Sequence, residues 1–355
     1  MTIPSRLAGY GAYNLCFDKY LGRKNANFSD PDFFAAIRNS GFNRVNLVKV
    51  ICFRYSQKES LPADRAIPLY VNQGGRVLIN SAFLDNLNTL VTSAERHGFW
   101  VQVCTFHYQA IATPNGGTDG IPEVPEVLPA ELAPMGADAC TRLANWFNPR
   151  PANPEQLGRQ KELIHTIADR LKGHGNVLYE IGNELRLATP GCAAPVPCQL
   201  TEWLNIMGNQ VLSVIGPTNN IGTSTGGYAD PPTALNNEKA VFQTCPKVFQ
   251  PGFFDFHRGQ WDSTITDPMK LAEHLGQVGA RANGYKGRVT PLIINDDGTG
   301  LERSADNVAL WAKAAFSQRL HFASKQPYPN GGKDKNGVVL DFSLPVLTKL
   351  NAAAA

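Results

Sequence analysis

A chain of 355 residues, 43% of them hydrophobic and 18% charged, holds enough core material for one barrel-sized domain or two ordinary ones. Its net charge of +3 is spread over acids and bases mixed along the chain, so neither nucleic acid nor an anionic membrane surface is expected as a partner. No apolar run reaches the length of a bilayer span, and no secretory leader is recognisable ahead of Thr2.

Residues 8–17 alternate small and aromatic side chains, as a first strand would. Ser29-Asp30-Pro31 reads as a helix start, with Ser29 or Asp30 as cap and proline in the first turn. The helix runs over 32–39 and stops at Gly41. A second strand is expected at 42–50, an amphipathic helix at 79–97 ended by Gly98, and a third strand at 99–106 closing on His107-Tyr108. A long Pro/Gly-rich loop follows over 109–153. A loop of that length inside a compact domain is usually functional, and Trp146 and Phe147 within it point to a packed lid.

Helix 154–172 leads into Asn176-Val-Leu-Tyr-Glu-Ile-Gly-Asn-Glu184, an apolar run that ends in a polar pair and reads as a buried fourth strand. Then come helix 201–215, strand 220–224, strand 252–257, helix 268–283, and a very apolar strand 289–295 that closes on Asp296-Asp297-Gly298. Helix 305–319 is followed by a last strand at either 320–324 or 338–342. Residues 351–355 read as a disordered tail or cloning scar. This alternation amounts to roughly eight β–α units in a single domain over 1–350, an α/β (β/α)8 TIM barrel with a long loop after strand three. An open doubly wound sheet is the competing architecture. No Gly-x-Gly-x-x-Gly turn follows an early strand and no phosphate loop is present, which disfavours nucleotide binding.

Seven cysteines leave at least one unpaired. Cys16, Cys52 and Cys104 lie in apolar runs and read as small core residues. Cys192 and Cys198 flank Ala-Ala-Pro-Val-Pro in a loop with little else to order it, so a local disulfide is expected there, which favours a secreted or periplasmic protein. No nearby His or Cys completes a metal-ligand set with them.

In parallel α/β folds the carboxyl ends of the strands carry the chemistry, which places Glu184 at a rim facing substrate. Pro291-Leu-Ile-Ile-Asn-Asp296 brings a second acid to the end of a later strand. Asp297 is its rival, but successive side chains on a strand point to opposite faces, so one of the two faces the site. A carboxylate pair suits glycoside cleavage: one acid protonates the leaving oxygen while the other carboxylate supports an oxocarbenium-like carbon. A neighbouring negative charge raises the pKa of the first and keeps it protonated. The competing structural role for Asp296 is capping the turn that Asp297-Gly298 makes.

Asn183-Glu184 and the Pro291–Asp296 spacing resemble strands four and seven of the clan A glycoside hydrolases, the cellulase, mannanase and β-glycosidase barrels. The resemblance implies Glu184 as acid/base and Asp296 as nucleophile, with Asp standing where the clan has Glu. It implies Asn183 beside the sugar 2-hydroxyl, and His107 and His257 as strand-end histidines lining the site. Tyr108, Trp146 and Trp261 are candidates to stack on sugar faces. Two departures from the clan pattern are Asn46 where many members have Arg, and Arg258 after His257 with no Tyr to steady the nucleophile. Glu180 shares parity with Glu184 but lies roughly 13 Å lower; it reads as structural, with Arg44 as candidate partner. The reading calls for a carbohydrate substrate, no cofactor, no metal and a monomer. Two rivals are a barrel that binds carbohydrate without cleaving it, and a metal-dependent hydrolase using His107, His257 and Asp296, which lacks a His-x-His pair on the first strand.

Overall fold

The computed structural model describes residues 3–23, 31–53, 61, 63–112, 127–185, 197–218, 220–225, 252–257, 267–283, 292–296, 305–325 and 344–355. Eight parallel strands close a barrel: β1 (Ala8–Gly11), β2 (Leu47–Phe53), β5 (Trp100–His107), β6 (Val177–Asn183), β7 (Ile221–Thr225), β8 (Phe253–His257), β9 (Leu292–Asp296) and β10 (His321–Lys325). Each neighbours the next in chain order, and β10 pairs back onto β1 through Ala8↔Phe322 and Tyr10↔Ser324. Between them run α1 (Phe33–Asn39), α2 (Ser81–Arg96), α3 (Tyr108–Ala112), α4 (Ala139–Trp146), α5 (Pro154–Leu171), α6 (Pro197–Ile215), α7 (Pro268–Asn283) and α8 (Ala305–Ser317), with α9 (Leu344–Ala353) after the last strand. The closed sheet excludes the doubly wound alternative, and the last strand is the earlier of the two candidates; 338–342 lies outside the described residues.

Several elements differ from the sequence reading. The first helix is capped by Asp32, whose Oδ1 accepts from the Ala35 amide at 2.9 Å; Ser29 and Asp30 lie outside the described residues. An antiparallel hairpin of β3 (Tyr70–Gln73) and β4 (Arg76–Ile79) precedes α2 where no element was expected. Its turn needs positive φ at two successive residues, and Gly74 (φ 59°) and Gly75 (φ 83°) supply it without steric cost. The expected loop over 109–153 contains α3 and α4. In α4 the Asp138 side chain caps the Thr141 amide at 2.8 Å, and Leu143 and Trp146, a helical step apart, bury the inner face.

The C-terminal residues are not a disordered tail. Val346, Leu347 and Leu350 of α9 are buried, the Ala354 carbonyl accepts from Arg6 Nη1 at 2.8 Å, and Asn351 Oδ1 accepts from the Arg44 amide at 2.9 Å.

The barrel interior is layered with the period of two that strands impose. Leu47, Trp100, Leu178, Phe253, Ile293 and Ala323, one from each of six strands, form an apolar floor with Leu7. Two residues further along, Lys49, Gln102, Glu180 and Asp255 form a buried polar layer. Two further again, Ile51 and Cys104 pack under Tyr13. Tyr13 folds back over β1 because Gly11 leaves room: a Cβ there would lie 2.3 Å from the Tyr13 ring. Cys16, Cys52 and Cys104 are free and buried as expected. Cys140, at the start of α4, is disulfide-bonded, which leaves Cys192, Cys198 or Cys245 as its partner by elimination. The expected Cys192–Cys198 pairing itself lies outside the described side chains.

Candidate active site at the mouth of the barrel

The fourth barrel strand, β6, is buried along its whole length and ends at Asn183. Glu184 then takes a left-handed backbone conformation, φ 55°, that turns the chain out of the sheet. For a residue other than glycine this conformation is strained by roughly 1–3 kcal/mol and persists where surrounding structure holds it. Leu185 is one part of that surrounding structure. It folds back onto Gly182, where an added Cβ would meet the Leu185 side chain at 2.7 Å. The local sequence Gly182-Asn-Glu-Leu185 thus makes a tight strand-end turn that fixes the carboxylate at the rim.

His107 ends the neighbouring strand β5 directly opposite Asn183 in the register. Its Nε2 lies 4.0 Å from Glu184 Oε2, with the histidine 3% and the glutamate 8% exposed. That separation is a polar contact rather than a hydrogen bond. Asn183 Oδ1 accepts from Lys49 Nζ at 2.5 Å, below the rim. On the other side of the mouth, His257 ends β8 opposite Asn295, and Asp296 ends β9 opposite Ser324. Strands β5, β6, β8 and β9 therefore bring His107, Asn183-Glu184, His257 and Asp296 to one end of one parallel barrel. Trp261 and Asp297 lie outside the described residues.

The two remaining aromatic candidates do not present open faces. Trp146 is 1% exposed and sits between Phe53 and Phe106, with ring centroids at 5.4 and 6.2 Å. Its carbonyl accepts from Gln160, whose amide oxygen in turn accepts from Trp203, so α4 is fastened to α5 and α6. Burying an indole against aromatic neighbours is worth more than leaving it on a rim. Tyr108 is likewise buried in the core.

Of the polar layer beneath the site, Glu180 alone stood out in the sequence. Lys49 Nζ lies 2.9 Å from Glu180 Oε2 and 2.5 Å from Asp255 Oδ2. Gln102 Nε2 donates to the same two oxygens, at 2.8 and 2.7 Å. Burial alone would lower the Lys49 pKa, but Asp255 and then Glu180 outweigh it and hold the ammonium well above its ordinary range. The partner of Glu180 is thus Lys49, not Arg44, which precedes the strand and is exposed. Asn46 is also misplaced by the clan comparison. It stands before β2 and closes the base of the barrel, accepting from the Ala8 amide at 2.8 Å and donating to the Arg6 carbonyl at 3.1 Å. The cation that strand two sends inward is Lys49. Its signal in the sequence was a lone polar residue between apolar neighbours, Val48-Lys-Val50, a pattern shared by Val101-Gln-Val103 and Phe254-Asp-Phe256.

The barrel fold has counterparts among solved structures. A family 5 xyloglucanase from Paenibacillus pabuli aligns over 99% of this chain and 99% of its own, with TM-score 0.59 and 12% identity. A broad-specificity family 5 endoglucanase from an uncultured bacterium aligns over 99% and 94%, with TM-score 0.58 and 12% identity. A glycoside hydrolase family 5 enzyme from Prevotella bryantii aligns over 99% and 96%, with TM-score 0.52 and 14% identity. The chain has the fold of these barrels. No family model matches it, and no curated protein sequence matches it. Among the described residues no helix is long and apolar enough to cross a membrane.

Proposed function

We propose that this barrel is a retaining glycoside hydrolase acting on a β-linked glycan, with Glu184 as acid/base and Asp296 as nucleophile. The observation that carries the reading is the strained, shielded Glu184 at the end of the fourth strand, with Asp296 at the same end of the seventh and only β7 and β8 between their strands. The same barrel shape in a xyloglucanase and an endoglucanase supports a β-glucan-type backbone as substrate class.

In the first step Glu184 gives its proton to the glycosidic oxygen while the Asp296 carboxylate attacks the anomeric carbon; the C–O bond breaks and a glycosyl ester forms. In the second, Glu184 takes a proton from water as its oxygen attacks that carbon and releases Asp296. Asn183 contacts the sugar 2-hydroxyl, and His107 steadies Glu184. His257, Asp297 and Trp261 complete the candidate lining. The Cys140 disulfide supports a secreted or periplasmic location.

The shorter Asp296 favours one second reading, a barrel that binds glycan without cleaving it. A panel of β-glucans, xyloglucan and mannan, assayed with the wild type and Glu184→Gln, separates the two. Turnover that falls by about 10²-fold or more in the variant supports catalysis. Binding with no wild-type turnover supports the second reading.

A further inference from the structure

Among the described residues of the candidate site, the buried ammonium of Lys49 touches Asn183, and the chemistry of that contact is directional. An ammonium carries three donors and no acceptor, so the Asn183 atom 2.5 Å from Nζ is the amide oxygen. The amide is planar, so Nδ2 is then turned away from Lys49, and among the described residues it makes no hydrogen bond. We propose that Lys49 is a positioning residue that locks the Asn183 amide with its NH2 group presented to the sugar 2-hydroxyl. The inference rests on the glycosidase reading above and names the device that orients its 2-hydroxyl contact.

Lys49 is itself held without slack. Among the described residues its three donors meet three acceptors, Glu180, Asp255 and Asn183, which ties the ammonium to one position. Gln102 bridges the two carboxylates from the next strand and fixes their oxygens in turn. All of these groups are 0–2% exposed, which keeps water from offering Asn183 an alternative donor. Without the ammonium, the two amide orientations of Asn183 differ little in shape, and the donor would face the sugar only part of the time. With it, the sugar oxygen meets a donor, pre-oriented at no cost during the reaction.

A merely structural Lys49, present to neutralise two carboxylates, would affect every substrate alike. The test therefore uses paired aryl β-glycosides with and without the 2-hydroxyl, and kcat/KM for the full chain, Asn183→Ala, Lys49→Met and the double variant. Lys49→Met is expected to lose about 10- to 100-fold on the 2-hydroxy substrate and to stay within about threefold on the 2-deoxy one. The double variant should be no slower than Asn183→Ala. Equal losses on both substrates, or additive losses in the double variant, would overturn the proposal. Removing Lys49 alone leaves two buried carboxylates uncompensated. Lys49→Met combined with Glu180→Gln and Asp255→Asn removes those charges at similar volume and is read by the same criterion. A wild type that cleaves neither glycoside would sink the glycosidase reading and this proposal with it. A wild type that cleaves both, with no selectivity in the Lys49 variants, would sink the Lys49 role alone.

Discussion

His107 Nε2 stands 4.0 Å from Glu184 Oε2 across adjacent strand ends, and both side chains are nearly shielded from solvent. The histidine limits where the carboxyl group can point. If Glu184 is the proton donor, disturbing it should matter most where the leaving group needs a proton. His107→Ala is expected to lower kcat/KM by roughly 10- to 100-fold on unactivated glycosides. It should do much less to dinitrophenyl glycosides, whose leaving group departs unaided. Leaving-group dependence is the measurement; a uniform loss would assign His107 to substrate binding instead.

With Asp296 as the proposed nucleophile, the stereochemistry of the reaction is the next test. Retention needs the two carboxyl groups about 5–5.5 Å apart, with no room for an attacking water. Aspartate withdraws its oxygens by roughly 1.5 Å relative to glutamate, toward the 6.5–9.5 Å spacing of inverting enzymes. We expect retention, because Asp296 is the last residue of β9 and the strand end can lean inward. Proton NMR during early hydrolysis of a β-glycoside should show the β-anomer first. An α-anomer would recast Asp296 as the base that activates water.

His321 makes stability fall in acid. It is buried at the start of β10, and its Nδ1 accepts from the Leu7 amide at 3.0 Å, which requires the neutral ring. Burial pushes its pKa from 6.5 down to about 4. The unfolded chain therefore takes up this proton first. The stabilisation is complete above pH 6.5 and is lost as pH falls from there through 4, with a ceiling of roughly 3 kcal/mol. Denaturant midpoints between pH 7 and pH 4 should fall more steeply for the wild type than for His321→Asn. Parallel slopes would show that this ring contributes nothing.

Trp146 should behave as a core residue. Trp146→Ala is expected to cost roughly 3–5 kcal/mol in equilibrium unfolding, because the cavity opens between Phe53, Phe106 and the helices that α4 joins. Unchanged stability combined with weaker oligosaccharide binding would return the ring to the site.

The cysteine chemistry is checked by mass spectrometry of a non-reduced digest. Cys140 is expected in a cross-linked peptide, with Cys16, Cys52 and Cys104 alkylatable only after unfolding. Cys245 as the partner would leave Cys192 and Cys198 to bridge locally, whereas either of those as the partner removes the local pair. Alkylated Cys140 would refute the disulfide altogether.

The sequence alone determined the order and type of most elements and the place of the Asn183-Glu184 turn. These are local: a period of two or 3.6 in apolar residues reports which face is buried, and a polar pair after an apolar run reports where a strand ends. The same signals are silent on what a buried face meets. Lys49 meets carboxylates 131 and 206 positions away, and only barrel closure brings β2, β6 and β8 around one point. Trp146 reads as a lid residue until α4 is seen packed on Phe53 and Phe106. Asn46 passes for a site position until the register places it before β2, at the base. Residues 351–355 look like filler until Ala354 and Asn351 are found bonded to Arg6 and Arg44, more than 300 positions earlier. Burial periodicity is written along the chain, whereas the partner of a buried charge or ring is chosen by strand order and register, which only the closed sheet supplies.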